Sequence, residues 1–356
     1  QPLARLAPQG IVVALGLGLQ AHDVPGLAVA GGHPATLAVV GFGQDQAGQV
    51  AFVPSRLNKR YAAPRLESGA QVGQVGVPGL VADGRAEFID LNTGAVANTE
   101  ALDVAIRSAR RVEPESSLYA VVDTANRLGL YRASYPISFV GERRQIASQL
   151  DSEFADSWTP LGTFTDFDVY YQDYQLTVAS IHGRELTLRE FPDTEYGFPF
   201  ASPVVRNIEL ERGYDRVVIG AQSAWLYLIS YSGAVAMMDL RSSRSPAVIY
   251  SGTLTTPDEH LVAVEPLLGR FSLLSADSAG LISQWFPART DSGRELVKVR
   301  SFQNPSPVSR LVPELRRKGF VAHGSDGQLN LYYTTSHRLL ATASTHSGAP
   351  LFAAIA

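Results

Sequence analysis

The sequence predicts an all-β fold: a β-propeller of seven four-stranded antiparallel blades, of the WD40 or YVTN-like kind. The main observation is a recurring unit in which an apolar run is followed by a tight polar turn and then by a second apolar or aromatic run. The turn glycines Gly183, Gly233, Gly280 and Gly327 lie 50, 47 and 47 residues apart. Such a period indicates an array of β-units, and 356 residues leave room for seven blades of about 45 residues each.

The clearest copies of the unit are residues 271–286 and 319–333. In the second copy, the alternation of Leu329, Leu331 and Tyr333 places every second side chain on one face of a strand. Other runs are apolar on both faces, as expected for strands that are covered on both sides. Radial stacking of four-stranded units leaves only short, protected edges, which favours a propeller over an open sheet.

The repeat continues toward the N-terminus with less regular spacing. Three further turns bring the total to seven, at about residues 48, 84 and 126. Residues 79–96 contain two glycine turns and therefore predict a meander of at least three strands. Residues 35–53 are interpreted as another copy, a hairpin with a longer turn.

Three segments outside the clear copies need separate interpretation. Residues 11–19 form an apolar run about half as long as a membrane span and predict a buried strand. Residues 101–116 fit a helix or a strand, and their apolar–polar alternation favours the strand. Residues 137–158 lie in the longest gap between turns and are strongly polar, so they predict a short helix or an extended loop.

Composition excludes several classes of function. The net charge of −4 provides no basic field for nucleic acid or anionic lipid. The absence of cysteine excludes disulfides, thiolate catalysis and cysteine-ligated metals. We expect residues 1–356 to form a single propeller domain, cut from a longer membrane protein because the chain stops within an apolar run.

No catalytic or cofactor-binding motif appears in the sequence. There is no GxSxG, HExxH, P-loop or helix-opening GxGxxG, and the seven histidines form no closely spaced pair. His182 and His323 are interpreted as a turn residue and a residue near a strand end. Acidic residues near Asp151 and at Asp166 and Asp168 are interpreted as solvated loop and strand faces, with a loose calcium site as the sharper alternative. We therefore expect no enzyme activity, no metal and no cofactor.

Two basic clusters are candidates for binding. Arg143 and Arg144 are interpreted as part of a solvated turn. Arg316, Arg317 and Lys318 form the second cluster and are the candidate binding residues, because arginine recognises phosphate and carboxylate groups bidentately.

Residues 310–340 carry a family resemblance. The run PELRRKGF at residues 313–320, the turn Asp326-Gly327 and the run LYYTTSHR at residues 331–338 resemble the extramembrane insert of large phosphate-type ABC-transporter permease subunits, of the phosphate-specific permease C type, from Gram-negative bacteria. In that family a segment like PELRRKGF precedes a strand, a DG turn and a run like GLYHTTAHRTLL.

The resemblance implies a periplasmic domain of the bacterial inner membrane. Its partners would be the transporter permease core, other subunits and the periplasmic solute-binding protein. It would meet the membrane only through flanking helices that are absent from this chain, and it has no catalytic residues to carry over. Docking of the solute-binding protein, gating and sensing are the roles it leaves open.

Two alternatives remain at this stage. One is a soluble periplasmic propeller scaffold of the outer-membrane assembly type, for which the turn at residues 90–94 gives a single D-x-x-T-G-like motif. The other is a propeller hydrolase with a metal at its axis, which needs inward-facing His, Asp or Glu side chains from several blades.

Overall fold

The computed structural model describes residues 12–13, 37–40, 51–52, 76–81, 84–90, 96–102, 104–112, 117–141, 143–152, 158–172, 175–192, 202–241, 246–291, 293–313, 318–344 and 354–355. Within these residues the chain forms β-strands and a single 3-10 turn at Ala221–Ser223, with no α-helix. None of them belongs to a helix long and apolar enough to cross a bilayer. The prediction of an all-β fold is confirmed.

Thirty strands follow one another along the chain. Those of the N-terminal half are β1 (Val12–Val13), β2 (Leu37–Val40), β3 (Ala51–Phe52), β4 (Gly76–Val81), β5 (Arg85–Asp90), β6 (Val96–Ala101), β7 (Ile106–Arg111), β8 (Leu118–Asp123), β9 (Arg127–Ser134), β10 (Ile137–Val140), β11 (Arg143–Ile146), β12 (Gln149–Ser152) and β13 (Thr159–Pro160).

The remaining strands are longer on average and more regular in spacing. They are β14 (Asp166–Gln172), β15 (Gln175–His182), β16 (Glu185–Pro192), β17 (Val204–Glu209), β18 (Arg216–Ile219), β19 (Trp225–Ile229), β20 (Ala234–Asp239), β21 (Ala247–Thr253), β22 (Leu261–Leu267), β23 (Ser272–Asp277), β24 (Leu281–Thr290), β25 (Gly293–Gln303), β26 (Val308–Pro313), β27 (Gly319–Gly324), β28 (Gln328–Tyr333), β29 (Arg338–Ser344) and β30 (Ala354–Ile355).

Five sheets are four-stranded antiparallel meanders, and these are the blades of a propeller. We call them sheet 1 (β3–β6), sheet 3 (β14–β17), sheet 4 (β18–β21), sheet 5 (β22–β25) and sheet 6 (β26–β29). Sheet 2 contains the meander β7, β8, β9 and β12 and gains a fifth strand because β13 also pairs with β9. The described residues therefore hold five four-stranded blades, and the predicted count of seven is not met.

The terminal strands explain part of this difference. Strand β2 pairs with β1 on one side and with β30 on the other, so both ends of the described chain meet in one three-stranded sheet. Strand β3 instead pairs with β4 in sheet 1. The prediction that residues 35–53 form one hairpin is therefore wrong, because its two strands lie in different sheets.

The first strand of each sheet lies nearest the propeller axis and the fourth lies outermost. First strands of successive sheets are neighbours, as in β7 beside β14, β14 beside β18 and β22 beside β26. Second strands such as β23 and β27 are buried along their whole length, whereas the fourth strands β17 and β21 are mostly exposed. This gradient explains why the second strands are apolar on both faces.

An apolar cluster fills each interface between neighbouring sheets from sheet 2 to sheet 6. Leu130 and Val178 belong to the cluster between sheets 2 and 3, and Tyr227 and Val264 to the cluster between sheets 4 and 5. Since the side chains of both sheets interdigitate, each sheet is held chiefly by its two neighbours.

The connections of the meanders divide between two ends of the propeller. The end with the second-to-third strand turns and the links between sheets is called the turn face. The opposite end, with the first-to-second and third-to-fourth strand connections, is called the loop face. Antiparallel pairing produces this division, because alternate connections of a meander lie at opposite ends.

The turn face confirms six of the seven predicted turns. Left-handed backbone occurs at each of these positions, namely Gly84, Asn126, Gly183, Gly233, Gly280 and Gly327. At Gly280 (φ 83°) a Cβ would also lie 2.9 Å from the carbonyl oxygen of Ser306, so both conformation and space require glycine. The seventh turn, near residue 48, lies outside the described residues.

Two ambiguous segments are resolved as strands. Residues 106–111 form β7, which confirms the strand interpretation of that segment. Within residues 137–158, a hairpin of β10 and β11 is followed by β12, so the expected helix or extended loop is wrong for the described part. The hairpin interrupts sheet 2 between its third and fourth strands and lies at the loop face.

Strand β1, at Val12–Val13, falls within the predicted buried strand of residues 11–19.

Candidate functional site

Two carboxylates near the axis accept hydrogen bonds from the edge of a neighbouring strand. Asp166 and Asp168 are alternate residues of the innermost strand β14. Asp166 accepts a hydrogen bond from the backbone N–H of Val217 at 3.0 Å, and Asp168 accepts one from the N–H of Ile219 at 2.8 Å. These N–H groups belong to the inner edge of β18, where an unpaired donor would be costly.

Arginines from other sheets complete a charged network around these carboxylates. Arg110 of β7 lies 2.6 Å from Asp166 and 3.8 Å from Asp168. Arg216 of β18 bridges Asp166 and Glu265 of β22, at 3.7 Å from each. The innermost strands of sheets 2 to 5 are thus linked by alternating charges.

Arg270 ties three sheets together from the loop face. Its guanidinium donates to Asp168 Oδ2 at 2.7 Å, to the carbonyl of Ile219 at 2.9 Å and to the carbonyl of Val169 at 3.1 Å. Arg270 belongs to the connection between β22 and β23, and Leu268, Gly269 and Arg270 all have positive φ. Non-glycine residues adopt this conformation at a cost, so the surrounding contacts hold the turn in place.

The ion pair keeps Asp168 charged in spite of its burial. Burial alone would raise the pKa of Asp168, but Arg270 and Arg110 hold the pKa below its ordinary value. Both side chains of the Asp168–Arg270 pair are about 95% buried or more. The interpretation of this residue as part of a solvated face is therefore wrong.

The network leaves the carboxylates at the axis with few oxygens available for catalysis or for binding a metal. Asp166 and Asp168 already accept hydrogen bonds from arginines and from backbone N–H groups, so their oxygens are engaged. Among the described residues, no group of three or more His, Cys, Asp or Glu side chains is placed to hold a metal ion. The loose calcium site at these two carboxylates is not formed.

The two singled-out histidines occupy the predicted positions. His182 is exposed at the end of β15, next to the turn. His323 is buried near the end of β27, where Ser309 Oγ lies 2.7 Å from its Nδ1 and its Nε2 has no partner. Burial, together with the charge of Arg310, lowers the pKa of His323 below its ordinary value.

Exposed large apolar side chains concentrate at the loop face. Phe139 (68%), Val140 (61%) and Phe271 (52%) are exposed in its connections. Others lie at the loop-face ends of outer strands, namely Val204, Val205, Val248, Ile249, Leu339 and Leu340. At the turn face, Tyr231 is the large apolar side chain that is exposed among the described residues.

Cationic side chains accompany these apolar residues. Trp225, at the start of β19, is buried, and the guanidinium groups of Arg241 and Arg294 lie 4.2 Å and 4.3 Å from its ring centre. Contacts of this kind are favourable because the aromatic ring presents a negative face to the cation. They place two arginines at the loop face of sheets 4 and 5.

The sequence-predicted basic clusters lie partly within the described residues. Arg316 and Arg317 lie outside them, and Lys318 is exposed. The strands that flank this cluster, β26 and β27, are joined at the loop face. Arg143 and Arg144 belong to strand β11, so their interpretation as a turn is wrong.

Comparison with known proteins finds structural likenesses but no matching family. No family model matches the sequence, and no curated protein matches it. Among solved structures, Raptor from Chaetomium thermophilum is similar with a TM-score of 0.50 and 16% identity over 78% of this chain. The Cps50 (Swd1) β-propeller domain from Myceliophteria thermophila is similar with a TM-score of 0.46 and 10% identity, covering 73% of this chain and 79% of that domain.

These likenesses concern the propeller fold alone. This chain spans about a quarter (25%) of the length of the Raptor chain that it matches. Both neighbours have identities at which a shared architecture says nothing about a shared activity.

Proposed function

We propose that this chain is a non-catalytic interaction domain of a phosphate-type ABC importer, facing the periplasm at the bacterial inner membrane. Its loop face would dock a partner such as the solute-binding protein and hold it near the permease core. The observation that carries this proposal is the concentration of exposed large apolar side chains at one face, with only Tyr231 at the other face of the described residues.

The composition of the loop face supports a protein partner. Large exposed apolar patches on a protein surface often mark sites of interaction with other proteins. Here they extend over outer strands of sheets 3, 4 and 6, and the stack of Arg241, Trp225 and Arg294 lies among them. Arginine is enriched among the residues that dominate binding energies, and the buried ring of Trp225 holds Arg241 and Arg294 in place. Such a surface fits a partner with an apolar patch and an acidic rim.

The importer context rests on the resemblance of residues 310–340. The cluster Arg316, Arg317 and Lys318 lies between two strands that are joined at the loop face. Lys318, the described member of the cluster, is exposed next to the start of β27, at the loop face. The engaged carboxylates at the axis are consistent with a role that does not include catalysis.

Substitution of the docking surface tests this function. In the full-length transporter, Arg316→Ala/Arg317→Ala/Lys318→Ala should weaken binding of the solute-binding protein about tenfold, because charge and contact area are both lost. Surface plasmon resonance measures the binding, and phosphate uptake by cells measures the consequence. Leu339→Ser/Leu340→Ser should weaken both quantities to a similar degree.

Tyr231→Ser at the turn face is the matched control, since it removes a side chain of comparable exposure. Its binding and uptake should equal those of the unmodified protein. Unchanged binding in both loop-face variants would overturn the docking surface. Weakened binding without any effect on phosphate uptake would instead favour the alternative, a periplasmic scaffold outside the importer.

A further inference from the structure

The hairpin of β10 and β11 is unlike any other element of the described chain. Its two strands pair only with each other, from Ile137 opposite Ile146 to Val140 opposite Arg143. The bond from the N–H of Ala147 to the carbonyl of Pro136 closes its base at 3.0 Å. An isolated two-stranded hairpin is marginally stable in water, and no other strand of the described residues pairs with this one.

Apolar side chains are exposed on both faces of this hairpin. Ile137 and Phe139 point to one face and Val140 to the other, since successive side chains of a strand alternate. They are exposed by 39%, 68% and 61%. At the tip, the position that a Cβ of Gly141 would take has no atom within 4 Å. The tip of the hairpin at Gly141 therefore projects into open surroundings.

Two arginines stand directly across the pair from the apolar residues of the tip. Val140 is paired with Arg143, and Phe139 with Arg144. Apolar and cationic residues that face each other across one hairpin match the boundary of a bilayer surface, where acyl chains lie beneath anionic headgroups. Long arginine side chains can keep their charge among the headgroups while the tip inserts.

We propose that this hairpin inserts its tip, Phe139 and Val140, into the surface of an anionic lipid bilayer. A protein groove would cover one face of a strand pair, whereas a lipid surface accepts both faces at once. The three apolar side chains also offer much less area than the ~800 Å² per partner that a stable protein interface buries. Shallow insertion with electrostatic attraction has no such requirement.

This membrane contact would orient the loop face of the domain toward the bilayer. A partner docked on sheets 4 to 6 would then be held between the propeller and the membrane, beside the hairpin. The inference extends the proposed function but does not depend on it, because vesicle binding is measured on this chain alone.

Vesicle co-sedimentation tests the proposal with the whole chain. We expect binding to vesicles of phosphatidylethanolamine and phosphatidylglycerol, and little binding to vesicles of phosphatidylcholine. Phe139→Ser/Val140→Ser should reduce the partition coefficient at least about tenfold, because each buried apolar side chain contributes strongly to transfer. Arg143→Gln/Arg144→Gln should reduce it by about fivefold per arginine at low salt and much less at high salt.

A second measurement locates the contact. Phe139→Trp should show a blue-shifted fluorescence maximum when anionic vesicles are added, and Tyr231→Trp, at the turn face, should show none. Tyr231→Ser, at the turn face, is the matched control for loss of exposed apolar surface and should bind vesicles like the unmodified chain. Equal vesicle binding by the unmodified chain and the Phe139→Ser/Val140→Ser variant would overturn the proposal. Loss of solute-binding-protein docking in that variant, with vesicle binding intact, would assign the hairpin to a protein partner and overturn it as well.

Discussion

The turn face and the loop face are made by the same sheets but are held in different ways. At the turn face, the second-to-third strand turns share left-handed backbone, and buried carboxylates such as Asp123 and Asp277 accept hydrogen bonds from turn N–H groups. At the loop face, connections differ from sheet to sheet, and Arg270 links three sheets. Stabilisation is therefore distributed on one face and concentrated on the other, which leaves the loop face free to vary for binding.

Removal of Arg270 should have the largest effect on stability. Arg270→Met leaves the buried carboxylate of Asp168 without its main partner, and breaking such a pair costs about 3–5 kcal/mol. Denaturant unfolding followed by circular dichroism measures the loss. Arg241→Met removes the exposed partner of Asp239 and should cost no more than about 1 kcal/mol.

The double variant Asp168→Asn/Arg270→Met should lose less stability than Arg270→Met, because no unpaired charge remains. Equal losses of unfolding free energy for Arg270→Met and Arg241→Met would contradict the inference that Arg270 contributes much of the stability at the loop face.

Alanine should destabilise the protein more at Gly280, in the packed turn face, than at Gly141, in the open loop face. Gly280→Ala combines a left-handed backbone with a Cβ 2.9 Å from a carbonyl oxygen, so we expect a loss of about 2–4 kcal/mol. Gly141→Ala, in the hairpin tip, has a φ of 64° but no neighbour within 4 Å. Its cost should not exceed the conformational cost of about 1–2 kcal/mol. Thermal unfolding of both variants measures the difference, and similar values would show that the close contact at Gly280 relaxes freely.

Loss of one turn carboxylate should have a moderate effect, as expected for a distributed arrangement. Asp277 is buried and accepts hydrogen bonds from the N–H groups of Ala279 at 3.1 Å and Leu281 at 2.9 Å. Asp277→Ala leaves these donors unpaired and should cost about 1–3 kcal/mol. Asp291→Ala, in an exposed connection of the loop face, is the control and should change the free energy of unfolding by less than about 0.5 kcal/mol. A loss as large as that of Arg270→Met would remove the contrast between the faces.

The smallest expected effect is a pH dependence from His323, near the turn face. Burial lowers its pKa below the ordinary value of 6.5, so below that pH the unfolded chain binds a proton that the folded chain does not. The free energy of unfolding should therefore fall as the pH decreases below 6.5, by at most about 1.4 kcal/mol per pH unit. Denaturant unfolding between neutral and mildly acidic pH measures this slope. His323→Gln should reduce the slope, and an unchanged slope in that variant would contradict the prediction.

Local patterns in the sequence predicted the turn face well. A positive φ at residues such as Gly183 or Gly233 is a requirement of a single turn, and glycine in a polar gap between apolar runs signals it directly. Buried second strands also follow from local apolar runs. The four-strand unit and the order of its strands could therefore be predicted without long-range information.

The loop face and the blade count depended on contacts that no local pattern encodes. Arg270 and Asp168 are separated by 102 residues, and their pairing follows only from the position of sheet 5 relative to sheet 3. Asp166 and Asp168 look like a solvated acidic pair because the N–H groups that they cap belong to another sheet. Likewise, β2 pairs with β30 at the far end of the chain, so its neighbour in sequence, β3, begins a separate sheet.

The pairing of β2 with β30 also determines when this sheet can form. Leu37 is paired with Ile355, and paired residues of antiparallel strands have Cα atoms only about 5 Å apart. The two strands are far apart in the sequence, so they can pair only after the sheets between them have brought them together. Closing so long a loop costs entropy, and contacts of this kind slow folding.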